Sequence, residues 1–285
     1  MLSFIVNVRS GRGLGNANLK KLIDYCYNNN IQYTVHVTNA PGHATELASK
    51  LVDVGAETIV AVGGDGTFHE VLCGIPDPSK VALGFIPSGR GNDFARGVGI
   101  PLDPVKALKI ILDGKTKYMD YIQVGESRCL NIAGTGLDID VLKRVAGRQG
   151  KITYLNSLLY CVRHFEPYDI DVTMNGETTN YKAVIVGICN GTQFGGGLKL
   201  SPVSKADDGL LDLIIIQMPK GSILPALLKF LSGKHIKLPI TTTLKCEQVL
   251  IHPLGNRPVQ LDGEIYENYD LDCQIVKGGL KTFEV

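Results

Sequence analysis

Three glycine-rich stretches each follow a short apolar run: Asn7-Val8-Arg9-Ser10-Gly11-Arg12-Gly13, Gly63-Gly64-Asp65-Gly66-Thr67 and Pro87-Ser88-Gly89-Arg90-Gly91-Asn92-Asp93. Glycines so placed let backbone N–H groups approach an anion, and a helix starting just beyond adds the positive end of its dipole. Several such loops on one rim would form a phosphate cradle. Later, Asp207-Asp208-Gly209 and Asp262-Gly263-Glu264 supply carboxylates, and Gly195-Gly196-Gly197 suggests close backbone approach to another group. Each feature also has a plainer reading. Residues 67–70, Thr-Phe-His-Glu, make a capping box that would start a helix. Asp65 suits a turn, and each Asp-Gly pair suits a hairpin.

The elements that must position these groups follow from periodicity. Apolar runs at 4–8, 33–37, 58–62 and 81–86 alternate with helical patterns. These are Leu19, Leu22, Ile23 and Cys26, then Ala44, Leu47, Ala48 and Leu51, then a helix from Phe68 and one opened by Asp103-Pro104. Repeated βα units predict a parallel sheet with helices on both faces, and ligands on such sheets bind beyond the carboxyl ends of the strands. After residue 122 the texture changes. Ile170, Val172 and Met174 alternate with Asp169, Asp171 and Thr173, and Asn175-Gly176 marks a hairpin. Further strands are expected at 183–189, 210–217, 244–252, 259–261 and 271–276, with helical patterns at 152–165 and 223–231. The expected fold is α/β plus β: a three-layer parallel α/β domain over 1–122, then an antiparallel sandwich or barrel-like domain over 123–276.

Composition removes several function classes. Lys and Arg number 29 against 28 Asp and Glu, a net charge of +1, whereas wholesale nucleic-acid binding needs a strongly basic face. Cysteines at 26, 73, 129, 161, 189, 246 and 273 form no CxxC pair or metal-ligand spacing, so neither a disulfide framework nor a zinc site is expected. The N-terminus lacks the basic start of a signal peptide, and no apolar run approaches the roughly 18 residues that span a bilayer. A cytoplasmic location is expected, in which Asn190-Gly191-Thr192 would meet no glycosylation machinery. Familiar nucleotide and zinc motifs fail. Lys109 replaces the first glycine of a P-loop ending at 114–116, Asn16 the last glycine of a dinucleotide fingerprint, and Cys73 the second histidine of a zinc-protease motif begun by His69-Glu70.

The features taken together are more specific. IVAVGGDGTFHEV at 59–71 resembles the signature of the diacylglycerol kinase catalytic-domain family, which includes soluble bacterial lipid kinases and the sphingosine and ceramide kinases. The resemblance covers nearly the whole chain. Its other supports are NVRSGRG at 7–13, SGRGNDFAR at 88–96, the strand around Asp120, GGGLKLSPVSKADDGLLDL at 195–213 and LDGE at 261–264. NAD kinases share GGDGT but leave the 195–213 segment unexplained.

The resemblance implies a nucleotide domain rejoined by residues 277–285, a β-rich second domain, and ATP in the cleft between them. It implies transfer of the ATP γ-phosphoryl group to a lipid hydroxyl, a reaction that rests on positioning and charge neutralisation. Carried over by motif, Asn7, Val8, Arg9, Ser10, Gly11, Thr38, Gly64, Asp65, Gly66, Thr67, Phe68, His69 and Glu70 would hold the nucleotide. Glu264 would be the general base. Asp65 would help place a catalytic Mg²⁺, with Asp93 and Asp120 as hydrogen-bonded support. A structural Mg²⁺ would take the carbonyl oxygens of Lys205 and Leu210 and the carboxylate of Asp208. Two positions depart from the family pattern: Arg90 stands where Thr or Ser is usual, and Val8 where proline is common. Arg90 is kept in the nucleotide set because arginine binds phosphate bidentately.

The expected acceptor is diacylglycerol, giving phosphatidic acid. The alternatives are another lipid (a sphingoid base, phosphatidylglycerol or undecaprenol) or a non-catalytic nucleotide- or lipid-binding regulator. Lys143, Arg144, Arg148 and Lys151 precede the apolar pattern Ile152, Leu155, Leu158, Leu159 and Val162, which suits peripheral contact with an anionic membrane or, equally, packing on the second domain. An exposed sheet edge could also pair two copies as a homodimer.

Overall fold

The structure, a computed structural model, describes residues 1–145, 151–220, 223–255 and 257–285. Its first half runs β1 (Leu2–Val6), α1 (Ser10–Asn28), β2 (Tyr33–Val37), α2 (His43–Asp53), β3 (Thr58–Gly63), α3 (Asp65–Gly74), β4 (Ala82–Pro87), α4 (Asp93–Val98) and α5 (Pro104–Asp113). The strands lie parallel in the order β2-β1-β3-β4. Strand side chains alternate between faces, and both faces are covered here. Phe4, Val6, Val60 and Val62 join a core with α1 and α5, while Ile5, Ile59 and Ala61 join one with α2 and α3. α5 starts as expected: Asp103 accepts from the Lys106 N–H at 2.9 Å, Pro104 occupies the first turn, and Gly114 ends the helix in left-handed backbone.

The second half runs β5 (Thr116–Val124), β6 (Ser127–Cys129), β7 (Ile132–Gly136), α6 (Leu137–Val145), α7 (Lys151–His164), β8 (Tyr168–Met174), β9 (Glu177–Cys189), β10 (Leu211–Gln217), α8 (Ile223–Leu231), β11 (Thr241–Cys246), β12 (Gln248–Pro253), β13 (Val259–Leu261), β14 (Glu264–Tyr266) and β15 (Leu271–Phe283). Its strands pair antiparallel around one apolar core. Asn175 and Gly176, at φ 52° and 81°, make the tight β8–β9 turn that their types predict. β15 runs through both halves. Its start pairs with β12 and β5; after a register shift between Val276 and Leu280 it continues along β5, and Thr282 lies parallel to Leu83 of β4.

One expected strand is two. The run at 244–252 breaks at Glu247: β11 pairs with β10, whereas β12 lies between β8 and β15. The Glu247 carbonyl accepts from Ile275 N–H at the break, so no glycine or proline marks it.

Candidate active site

The three glycine loops leave the carboxyl ends of β1, β3 and β4 and bind one another directly. Asn7 Nδ2 donates to Thr67 Oγ1 at 3.2 Å, and Asn7 Oδ1 accepts from the Arg9 N–H at 3.1 Å. Asn18 Nδ2 donates to Ser88 Oγ at 2.9 Å, and Asn92 Oδ1 accepts from the Gly89 N–H at 2.9 Å. Gly11, at φ +55°, leaves no room for a Cβ beside the Ser88 carbonyl, and a Cβ on Gly89 would strike the Gly64 Cα. The backbones therefore approach as only glycine allows.

Beyond them opens a cleft of about 1180 Å³. Of the residues assigned to the nucleotide, Asn7, Arg9, Ser10, Gly11, Thr38, Gly64, Gly66, Thr67, His69, Glu70 and Arg90 line it, and Glu264 enters from the β13–β14 hairpin. The cleft suits a nucleotide: it carries two exposed guanidinium groups, Arg9 and Arg90, and the buried Ser10 hydroxyl has no partner within the protein. Three assigned side chains lie elsewhere, Asp65 in an adjoining hollow and two against the core. Phe68 is fully buried, stacked on Phe85 at 4.5 Å, with its N–H bonded to the Gly64 carbonyl; Val8 packs toward the α1–α5 core. The capping box is also absent. α3 begins at Asp65, so Thr67 lies inside it, and Glu70 Oε2 accepts from the Ala44 N–H at 3.2 Å, supporting α2 instead.

Asp65 and Asp93 face a small hollow beside the cleft, with Gln193, Gln260 and Asp262. A Cβ built on Gly91 would lie 3.2 Å from Asp65 Oδ2 and 3.0 Å from Asp93 Oδ2. Asp65 Oδ1 accepts from the Phe94 N–H at 3.2 Å, and Asp93 Oδ2 from the Gly196 N–H at 2.8 Å. The glycine triplet at 195–197 thus approaches the Asp93 carboxylate. Burial raises both carboxyls, and for Asp93 the neighbouring Asp65 charge adds to it, giving a pKa of about 6. Asp120 stands apart from this pair. Its oxygens accept from the Gly278 and Gly209 N–H groups, each at 2.7 Å, tying β5 to the β15 bulge and the 206–209 loop.

Asp262 is more than a hairpin residue. Its φ of 50° and Gly263's of 95° make the turn, but its side chain is only 3% exposed. Oδ2 accepts from the Leu130 N–H at 2.6 Å, and Oδ1 from those of Asn131 and Ile132 at 2.8 and 3.2 Å. His69 Nδ1 lies 3.6 Å from Oδ2, an ion-pair separation. Burial opposes the charged form of each partner. For Asp262, His69 and the amide donors outweigh it and lower the pKa; for His69, Asp262 and Cys73 outweigh it and raise the pKa to about 10. The sequence signal for Asp262, a lone Asp-Gly pair, indicates a turn and nothing about partners 130 residues away.

Of the residues assigned to a structural cation, Asp208 already has partners within the protein. Lys245 Nζ lies 2.8 Å from Asp208 Oδ2, and the Leu210 N–H donates to Asp208 Oδ1 at 3.1 Å. A cation at Asp208 would have to displace this lysine. In the basic segment, Lys143 pairs with Glu267 at 2.8 Å and Arg144 lies 3.6 Å over the Tyr160 ring. Arg148 and the Lys151 side chain lie outside the described residues. Leu158 and Val162 of α7 are buried, while Leu159 is exposed.

An α/β domain whose glycine loops face a carboxylate borne on a β-rich domain defines a phosphoryl-transfer architecture. Residues 1–124 match the family described as "Diacylglycerol kinase catalytic domain", and residues 131–283 that described as "YegS C-terminal NAD kinase beta sandwich-like domain". A Salmonella paratyphi A protein named "Probable lipid kinase YegS" is 31% identical over 284 residues, covering 96% of this chain and 93% of that protein. An Enterobacter protein named "Probable lipid kinase YegS-like" is 32% identical over 236 residues, 79% of this chain and 78% of its own. A Bacillus anthracis structure described as a diacylglycerol kinase superposes with TM-score 0.81 at 25% identity, covering 100% of this chain and 96% of that one. The chain belongs to the YegS-type lipid kinases of the diacylglycerol kinase catalytic-domain family. No helix among the described residues is long and apolar enough to cross a membrane.

Proposed function

We propose that this protein transfers the γ-phosphoryl group of ATP to the hydroxyl of diacylglycerol, giving phosphatidic acid and ADP. The observation that carries the reading is the shared cleft, where the three glycine loops and Glu264 face one another. Asn7, Ser10, Gly11, Thr38, Gly64 and Thr67 hold the nucleotide, and Arg9 and Arg90 meet its phosphates. Glu264 takes the hydroxyl proton as that oxygen bonds to the γ-phosphorus and the bond to ADP breaks. Mg²⁺ entering with ATP would neutralise phosphate charge, and Asp65 is the carboxylate of this chain that would meet it. The hollow lined by Asp65, Asp93, Gln193 and Phe194 offers the acceptor end of the reaction a place between the two halves.

The surface fits reversible attachment to an anionic bilayer. Leu224, Leu228 and Leu231 form an exposed stripe on α8, near exposed Lys220, Lys229, Lys234 and Lys237. No acidic residue stands between Asp212 and Glu247. The test is transfer of labelled phosphate from ATP with Mg²⁺ to diacylglycerol, monoacylglycerol, sphingosine, ceramide, undecaprenol, phosphatidylglycerol and NAD in mixed micelles, with Glu264→Gln as the blank. Labelled phosphatidic acid that disappears in the variant is the expected result. Labelled NADP, or no product despite measurable ATP binding, would overturn the reading.

A further inference from the structure

One nucleophile in the cleft wall has no part in this reaction. Cys73 is partly exposed there, one helical turn after His69 on α3, so the two side chains share a face. Cys73 Sγ lies 3.6 Å from His69 Nε2, and His69 Nδ1 lies 3.6 Å from the Asp262 carboxylate, itself fixed by three backbone N–H donors. The imidazole therefore bridges the sulfur and the carboxylate; it is nine-tenths buried, and both it and the sulfur border the cleft. An imidazole held this way favours the thiolate form of the neighbouring thiol.

The other cysteines make the contrast. Cys26, Cys129, Cys161, Cys189 and Cys273 are buried. Cys246 is partly exposed like Cys73 but lies near Asp212; burial and that charge raise its pKa to about 11. The groups facing Cys73 are His69 from its own helix, Arg128 from β6 and Tyr266 from β14, with Asp262 behind His69. Burial raises the Cys73 pKa, but His69 and Arg128 outweigh it, and the net direction is down.

We propose that Cys73 is a modification site in the cleft wall, at which soft two-electron electrophiles such as peroxides and alkylating agents are captured, closing the cleft to nucleotide. With a peroxide, the thiolate attacks one oxygen of the O–O bond; an S–O bond forms, the O–O bond breaks, and hydroxide or alkoxide leaves. Sulfur is oxidised by two electrons to the sulfenic acid and the peroxide is reduced. With iodoacetamide an S–C bond replaces the C–I bond and iodide leaves. Capture rests on the Cys73–His69–Asp262 cluster alone; its effect on ATP rests on reading the cleft as the nucleotide site.

The experiment follows iodoacetamide labelling of the full chain by mass spectrometry of the Cys73 and Cys246 peptides across pH, with and without ATP. Cys73 should label at least roughly tenfold faster than Cys246 at neutral pH, with a profile bending below the ordinary thiol pKa of about 8.5. ATP should slow it, and the labelled protein should bind ATP roughly tenfold more weakly, while Cys73→Ser gains resistance to both reagents. Hydrogen peroxide should act at the same residue, reversibly with dithiothreitol. His69→Gln should bring the Cys73 rate down to that of Cys246; if this variant does not fold, the wild-type pH profile decides. Equal rates for the two cysteines, or an ordinary thiol profile at Cys73, would overturn the proposal. Fast labelling that ATP does not slow would leave the reactive thiol standing and count against the nucleotide reading of the cleft.

Discussion

Glu264 Oε1 lies 3.4 Å from the point a Cβ on Gly66 would occupy, so the second domain's carboxylate rests directly on the loop that would cradle phosphate. The contact joins residues almost 200 positions apart in the chain, and it sets the carboxylate proposed as the base beside the proposed phosphate loop.

Glu264→Gln should therefore lower turnover by about 10²–10⁴-fold while ATP binding changes little, since the amide keeps the shape but takes up no proton. Gly66→Ala should disturb Glu264 little, because the added methyl would lie 3.4 Å from Oε1, an ordinary van der Waals contact. Steady-state kinetics beside calorimetric ATP titration checks both. A Glu264→Gln enzyme with ordinary turnover would remove the residue from the chemistry.

Asp93 should make stability fall as pH rises. Its folded pKa, about 6, lies above the ordinary aspartate value of about 3.9, so between these values the folded state binds more protons than the unfolded one. Stability is highest below that window and declines through it, by up to about 3 kcal/mol for this shift. Asp138, fully buried and raised to about 7 by its burial, acts in the same sense. Urea midpoints from acid to neutral pH should slope downward, and Asp93→Asn should flatten part of that slope; an unchanged slope in the variant would contradict the assignment.

The His69–Asp262 pair has the opposite dependence at high pH. With His69 raised to about 10, its contribution is complete below the ordinary histidine range and is lost as pH rises through about 10. Asp262→Ala removes the carboxylate and leaves a buried imidazolium and three amide N–H groups without their acceptor, so it should cost about 3–5 kcal/mol. A double-mutant cycle with His69→Gln should show coupling of about 0.5–3 kcal/mol. Additive losses would mean that Asp262 acts only as an anchor for residues 130–132.

The three loops were legible in the sequence because a phosphate-holding turn between strand and helix requires glycine at close approaches, and the β8–β9 turn because Asn175-Gly176 accommodates two left-handed residues. Helix faces were legible from period, as with Leu19, Leu22 and Cys26, all buried. What could not be read is what local pattern does not encode. Phe68 sits inside a glycine motif yet turns into the core; Asp262 reaches strands 130 residues earlier; and the apolar alternation at 244–252 continues unbroken while the chain changes strand partners. The cation role of Asp208 comes from the family resemblance alone, and nothing nearby in sequence announces its partner Lys245.

That lysine yields the last prediction. Lys245 Nζ lies 2.8 Å from Asp208 Oδ2 and 3.6 Å from Asp212 Oδ1; the Asp212 side chain is 1% exposed, and neither of its oxygens accepts a hydrogen bond. The ammonium thus provides the positive charge that this pair of carboxylates needs, where the family would place a divalent ion. Lys245→Met should destabilise by about 1–3 kcal/mol, less than a fully buried pair because water reaches the lysine. In the wild type, removing divalent ions with EDTA in the absence of nucleotide should leave the thermal midpoint unchanged. A midpoint that falls with EDTA and returns with Mg²⁺ would mean that the ion displaces Lys245 from Asp208, and Lys245→Met would then retain its full response to Mg²⁺.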